Sequence, residues 1–268
     1  MHLKVGHKRA YIIGIGILAV ILLLWFFAPR KNFCNVAYIP LHGAVVTYIP
    51  ASEATSTGNS SDQTASEDVT AAIRQASANP SIKAIVLEVD SYGGLPVGGQ
   101  EIELALKQVK KPTVALIRED GESAAYMAAT GADIIFASNF SDVGDIGITQ
   151  SYVDNSKQDV ENGITFNQLS IGKYKDMFNL DKPMTADEKA LAMKELQIGY
   201  QGFVQIVADN RHMSIDKATA LANGASLMGA EALQDGLIDK IGTIDNVRSY
   251  LSGQLKQNAV ICGIDGEH

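Results

Sequence analysis

At 268 residues, 46% of them hydrophobic and only 19% charged, the chain can bury one substantial core once an N-terminal segment is set aside. Its formal net charge of −8 argues against a phosphate-backbone partner, because nucleic-acid binding needs a basic surface. The two cysteines, Cys34 and Cys262, lack C-x-x-C spacing, and the five histidines (His2, His7, His42, His212, His268) form no H-E-x-x-H cluster, so no metal and no cofactor is expected.

Residues 1–9 form a short basic tail, and Ala10 to Ala28 is a charge-free apolar run close to the about twenty residues a helix needs to cross a bilayer. Tyr11 and Trp25 stand near its ends, where aromatic belts sit. A cleaved signal peptide would carry a shorter apolar region and a small-x-small site, and Phe26 to Lys31 offers neither, so an uncleaved single-pass anchor is expected. Lys4, Lys8 and Arg9 against Arg30 and Lys31 lean slightly toward placing the main domain outside the cytoplasm, at the cell membrane. Cys34 and Cys262 then either share one bridge in an oxidising compartment or remain two separate thiols, and the sequence leaves both open.

Val36–Pro40 and Gly43–Ile49 read as a first strand or strand pair, followed from Ala51 to Ala65 by a solvated, mobile loop of Ser, Thr, Gly, Asn and Asp. Ser66-Glu67-Asp68 opens a helix with Val69, Ala72, Ile73 and Ala76 at i, i+3, i+4, i+7. Ile82–Val89 is a near-continuous apolar strand of the kind covered on both faces of a parallel sheet, and it ends in Asp90-Ser91-Tyr92-Gly93-Gly94. A helix with Ile102, Ala105, Leu106 and Val109, a strand at Thr113–Ile117, a short helix beginning at Ser123 and closed near Gly131, and a strand at Ile134–Ala137 complete a βαβαβ alternation. Functional loops of such an α/β fold lie at the carboxyl ends of the strands, where both the glycine pair and Ser123 fall. There the free N–H groups of a helix start favour negative charge developing beside the Ser123 hydroxyl; the plainer reading of Ser123 is an N-cap.

Asp142–Thr149 is rich in turn residues, Thr185-Ala186-Asp187-Glu188 is a capping box opening a long helix toward Arg211, and Gly229–Gly236 is a short glycine-ended helix before strand-like Leu237–Gly242. Beyond about Leu255 the sequence carries little signal.

In this order the pieces resemble the signal peptide peptidase A family, membrane-anchored serine proteases with a Clp protease/crotonase-type α/β fold of repeated ββα units and a mostly parallel sheet. Val89 to Gly94 is similar to the family's Asn-Ser-Pro-Gly-Gly turn, Gly121 to Gly131 to its nucleophile helix, and Gly144-Asp145-Ile146-Gly147-Ile148 to its Gly-Ser-Ile-Gly-Val turn. Gly172 to Asp176 resembles the segment carrying the family's catalytic lysine, and Gly229 to Gly242 its closing motif. Tyr92 replaces the family proline, and Ala124-Ala125 replaces the Gly-Gly after the nucleophile.

The resemblance implies a peptidase domain over 34–255 with a tail at 256–268, Ser123 as nucleophile, Lys175 as general base, and the backbone N–H groups of Gly94, Gly93 and Ala124 as oxyanion donors. A lysine removes a hydroxyl proton only as the neutral amine, which an apolar, water-poor pocket can supply. Lys173 competes with Lys175, and the Lys175-Asp176 step decides for Lys175. The resemblance further implies apolar peptide substrates such as remnant signal peptides, and a homo-oligomer. Against it stand a serine–histidine pair using His42 or His212, an inactive anchored scaffold of the same fold, and a related protease acting on a stomatin-like partner.

Overall fold

A computed structural model describes residues 34–50 and 63–263. The expected tail at 1–9, the anchor at 10–28 and residues 51–62 of the expected loop lie outside them. Among the described residues no helix is long and apolar enough to cross a membrane.

The domain is a mixed α/β structure around one mostly parallel sheet. Its strands are β1 (Val36–His42), β4 (Ala84–Ser91), β5 (Thr113–Glu122), β6 (Ile134–Ala137), β9 (Lys240–Ile241) and β10 (Ile261–Gly263), ordered β10-β1-β4-β5-β6-β9. A separate parallel pair joins β2 (Ala44–Val46) to β3 (Gln63–Ala65), so the end of the expected loop is a strand. β7 (Asp142–Gly144) continues along β5 beyond the end of β6, and β8 (Ser226–Met228) runs antiparallel to it.

Side chains alternate between the faces of a strand, and this parity divides the interior in two. Ile39 and Leu41 of β1, Ile85, Leu87 and Val89 of β4, and Ala115 and Ile117 of β5 pack beneath α1 (Ser66–Ala78), α2 (Pro96–Lys107) and α3 (Ser123–Ala129). The opposite parity, Val36, Val86, Val114, Leu116 and Phe136, packs on Val247 and Leu251 of α8 (Ile244–Leu255). With both faces covered, Ile85, Val86 and Leu87 are fully buried, and truncating Ile85 or Leu87 to alanine costs about 2–5 kcal/mol. Farther along the α8 face the apolar layer gives way to Tyr38, His42, Glu88 and Arg118. The buried Glu88 carboxylate receives Arg118 Nη1 at 2.5 Å and pairs with His42 Nε2 at 2.8 Å.

Between β7 and β8 lie α4 (Ser156–Glu161), α5 (Ala186–Asn210) and α6 (Ile215–Leu221); α7 (Gly229–Asp235) follows β8. The Thr185 capping box forms as expected: the Thr185 hydroxyl accepts from Glu188 N–H at 3.3 Å, and the Glu188 carboxylate accepts from Thr185 N–H at 2.8 Å. α7 ends on Gly236 at φ 82°, a left-handed cap suited to glycine.

Two further features differ from the sequence expectation. β5 runs to Glu122 instead of stopping at Ile117, because Asp120 to Glu122 pairs with β7 although its charged side chains carry no apolar signature. The domain also continues past Leu255: Val36, Ala37 and Tyr38 pair with Ile261, Cys262 and Gly263, and Cys34 is bonded to Cys262 through a disulfide with Cα atoms 6.0 Å apart.

Candidate active site

After β4 the chain turns through Ser91, Tyr92, Gly93 and Gly94 and lies against β2. Val45 N–H donates to Gly93 O and Leu95 N–H to Val45 O, both at 2.8 Å. The contact is so close that a Cβ on Gly94, at φ 152°, would lie 2.2 Å from Val45 O; only glycine fits. Gly93, at φ 100°, abuts the other wall, where a Cβ would lie 2.6 Å from Ser123 Cβ and 3.0 Å from Ala124 N. Its N–H is already taken by Ser91 Oγ at 3.1 Å, and that hydroxyl donates to Gly43 O at 2.5 Å. Gly93 thus spaces the turn against the serine, which leaves Gly94 and Ala124 as the backbone donors nearest the cleft.

Ser123 joins β5 to α3 at φ 49°, a left-handed conformation that costs a non-glycine residue about 1–3 kcal/mol. Packing holds it there. Ala124 to Ala129 are all buried, Tyr126 Oη donates to Leu237 O at 2.8 Å, and α2 comes so close that a Cβ on Gly99 would lie 2.3 Å from Ala124 O. The methyls of Ala124 and Ala125, which replace two glycines of the resembled motif, belong to the main core, not to the cleft wall.

Ser123 opens on a cavity of 530 Å³. Gly94 and Pro96 flank the serine; Asp145, Gly147, Ile148 and Thr149 supply a second wall, and Tyr200, Ala222, Asn223 and Gly224 a third. The latter two walls are tied together by Gly224 N–H to Ile146 O at 3.2 Å, and Tyr200 Oη donates to Ala222 O at 2.8 Å. Asp145 is itself left-handed at φ 44°, and burial pushes its carboxyl above the ordinary range. Burial does the same to Glu122, helped by the negative charges of Asp145, Asp120 and Asp142. A separate groove of 560 Å³ between α1 and α2 contains neither Ser123 nor Gly94.

The structure brings Ser123, Gly93, Gly94 and Ala124 together, and it places Lys175 apart from them within one chain. Lys175 is exposed on the segment between β7 and α5 and does not line the Ser123 cavity. It makes no ion pair among the described residues, whereas Lys173 pairs with Asp187 at 2.5 Å, and that bond raises the Lys173 pKa, the wrong direction for a neutral base. Neither His42 nor His212 lines the cavity, and the His42 ring is engaged with Glu88. Among the described residues no group of three His, Cys, Asp or Glu side chains gathers as a metal site. The sequence reading did not single out the wall of Tyr200, Asn223 and Gly224, which no motif marks, nor the carboxylate of Asp145, quoted only within its turn.

Residues 105–258 match the model of peptidase family S49. A Methanocaldococcus jannaschii protein named "Putative protease" is 33% identical over 173 residues, 64% of this chain and 56% of that protein. Protease 4 of Salmonella typhi is 29% identical over 223 residues, 81% of this chain and 34% of its own length. The chloroplastic serine protease SPPA of Arabidopsis thaliana is 30% identical over 173 residues, 63% of this chain. The chain spans little more than half of the first of these relatives and 26% of the last.

Proposed function

Because the chain belongs to peptidase family S49, we propose that it is a membrane-anchored serine endopeptidase in which Ser123 attacks the peptide carbonyl and Lys175 takes the hydroxyl proton. The observation that carries this reading is the strained Ser123, fixed at φ 49° on a buried helix and sharing an open cavity with Gly94. As Ser123 Oγ bonds to the carbonyl carbon, the oxyanion accepts from the N–H groups of Gly94 and Ala124. Each preorganised donor of this kind is worth roughly 3–4 kcal/mol in serine proteases. The lysine ammonium then protonates the leaving amine, and water, deprotonated by the same amine, releases the acyl group.

Lys175 reaches a serine when copies of the chain assemble. Its segment exposes Val160, Leu169 and Ile171, the last two completely, and a second copy covering these side chains removes water from around the amine. The charge-free run at 10–28 is the membrane anchor of this reading, and the Cys34–Cys262 bond supports an oxidising compartment outside the cytoplasm. Apolar, signal-peptide-like segments are its substrates, and a parallel strand leading into a helix at both β4 and β5 supports the Clp protease/crotonase type of fold.

A fluorophosphonate probe tests the nucleophile. It should label the parent chain and fail on Ser123→Ala, whose peptide turnover should fall at least about a thousandfold. Labelling that survives in Ser123→Ala overturns the assignment, and an unlabelled parent makes the chain an anchored scaffold. For the base, Ser123→Ala and Lys175→Ala preparations, each inactive alone, should recover turnover when mixed and reassembled. Continued inactivity of a demonstrably mixed assembly sinks the shared site.

A further inference from the structure

The direction of the Gly94 N–H is set on the far side of its own peptide unit. A trans peptide points its C=O and N–H in opposite directions, and Gly93 O is held on the β2 side by Val45 N–H at 2.8 Å. Gly94 N–H therefore turns away from β2, toward the cavity that Gly94 lines with Ser123, and among the described residues it makes no hydrogen bond. Two successive glycines, at φ 100° and φ 152°, oppose a flip of that unit only weakly, because neither carries a Cβ. The hydroxyl that stiffens the turn belongs to Ser91, which is 1% exposed and does not line the cavity. It accepts from Gly93 N–H at 3.1 Å, which fixes the preceding peptide, and donates to Gly43 O at 2.5 Å, which ties the turn to the chain between β1 and β2. Gly43 N–H donates in turn to Asp90 O at 3.1 Å, so the two chain reversals brace each other.

We propose that Ser91 is a positioning residue of the reaction: its hydroxyl keeps the Gly93–Gly94 peptide from flipping and so keeps Gly94 N–H aimed at the oxyanion, a role that rests on Ser123 being the nucleophile. Ser91 acts through Gly93 and touches no substrate. Without its hydroxyl, Gly93 N–H and Gly43 O lose their partner in a buried place, and rotation of the turn is one way to find another. A flipped unit would present the Gly93 carbonyl to the developing negative charge, an acceptor where a donor is needed. The loss then falls on formation of the tetrahedral intermediate.

The test compares two ester substrates that differ only in oxygen or sulfur at the scissile carbonyl, by kcat/KM, in the parent and in Ser91→Ala. Sulfur accepts hydrogen bonds weakly, so the thionoester draws little from the oxyanion donors. Ser91→Ala should lose about 10–100-fold on the oxygen ester and far less on the thionoester, so that the oxygen-to-sulfur ratio falls by about tenfold or more. Ser91→Cys keeps the volume of the side chain but offers only a weak donor and acceptor, and its ratio should fall in the same direction. A ratio unchanged in both variants, whether their rates are kept or lost equally on the two esters, overturns the proposal. Unfolding of both variants, read by circular dichroism, makes Ser91 a residue of the fold alone and overturns it as well. Fluorophosphonate labelling separates this inference from its premise: a labelled parent with an unchanged ratio sinks the role of Ser91 alone, whereas an unlabelled parent sinks the nucleophile and the inference with it.

Discussion

Ser123 owes its position to what its neighbours lack. With no Cβ, Gly93 approaches Ser123 and Ala124 at a distance any side chain would violate, and Gly94 does the same against Val45. Gly93→Ala should therefore shift the serine out of register: we expect a loss of about 1–3 kcal/mol in urea denaturation, together with a fall in kcat exceeding any rise in KM. The second residue-scale device is Glu88, on the α8 face of the sheet. Burial pulls its carboxyl upward, but hydrogen bonds from His42, Tyr38 and Arg118 prevail and hold it at about 2. His42 in turn is raised above the ordinary imidazole value, chiefly by its bond to Glu88. The signs follow from linkage. The Glu88 contribution is complete above the ordinary carboxylate range and is lost as pH falls toward 2; the His42 contribution is complete below the ordinary imidazole value and is lost as pH rises through the raised one. Both are held near about pH 5–6. Glu88→Gln should cost about 1–3 kcal/mol there and flatten both limbs of a stability-versus-pH curve measured by denaturant titration.

The elements divide by how much of their cause is local. β4 and β6 were legible as apolar β-branched runs, α5 through its capping box, and the Gly93-Gly94 turn through glycine itself. The box makes a prediction of its own: Thr185→Ala should destabilise the domain by about 1 kcal/mol without altering fluorophosphonate labelling. Other elements exist only because of a partner. β10 is three residues whose strand character comes from pairing with β1, and the charged end of β5 is a strand because β7 lies beside it. The site follows the same division. Ser123 and the glycines were readable as a turn at a strand end, but the wall built from Tyr200 and Asn223 is set by where α5 and the segment after α6 pack, which no short stretch encodes. Lys175 was readable only through the resemblance, because it is one exposed lysine on a segment with no periodic pattern of its own.

At the scale of the whole molecule, the sheet face under α1 to α3 is closed, while the segment between β7 and α5 leaves Leu169 and Ile171 fully uncovered. Replacing both with serine should lower the assembly state measured by light scattering and reduce peptide turnover in step, while leaving the far-ultraviolet circular dichroism of the domain intact. The bond between Cys34 and Cys262 ties the start of β1 to the edge strand β10, and Cys262→Ser should lower stability by about 2–4 kcal/mol in non-reducing denaturation. The same bond governs how the domain bears load. Cys34 is where the described domain begins, just before β1, so tension entering from the N-terminal side meets a covalent crosspiece to β10 before it reaches the strand. Peeling β1 from β4 then means dragging β10 along with it. In a pulling experiment through the N-terminus, the intact crosspiece should raise the rupture force, and its reduction should let the sheet unzip from this edge, one strand at a time, toward Ser123.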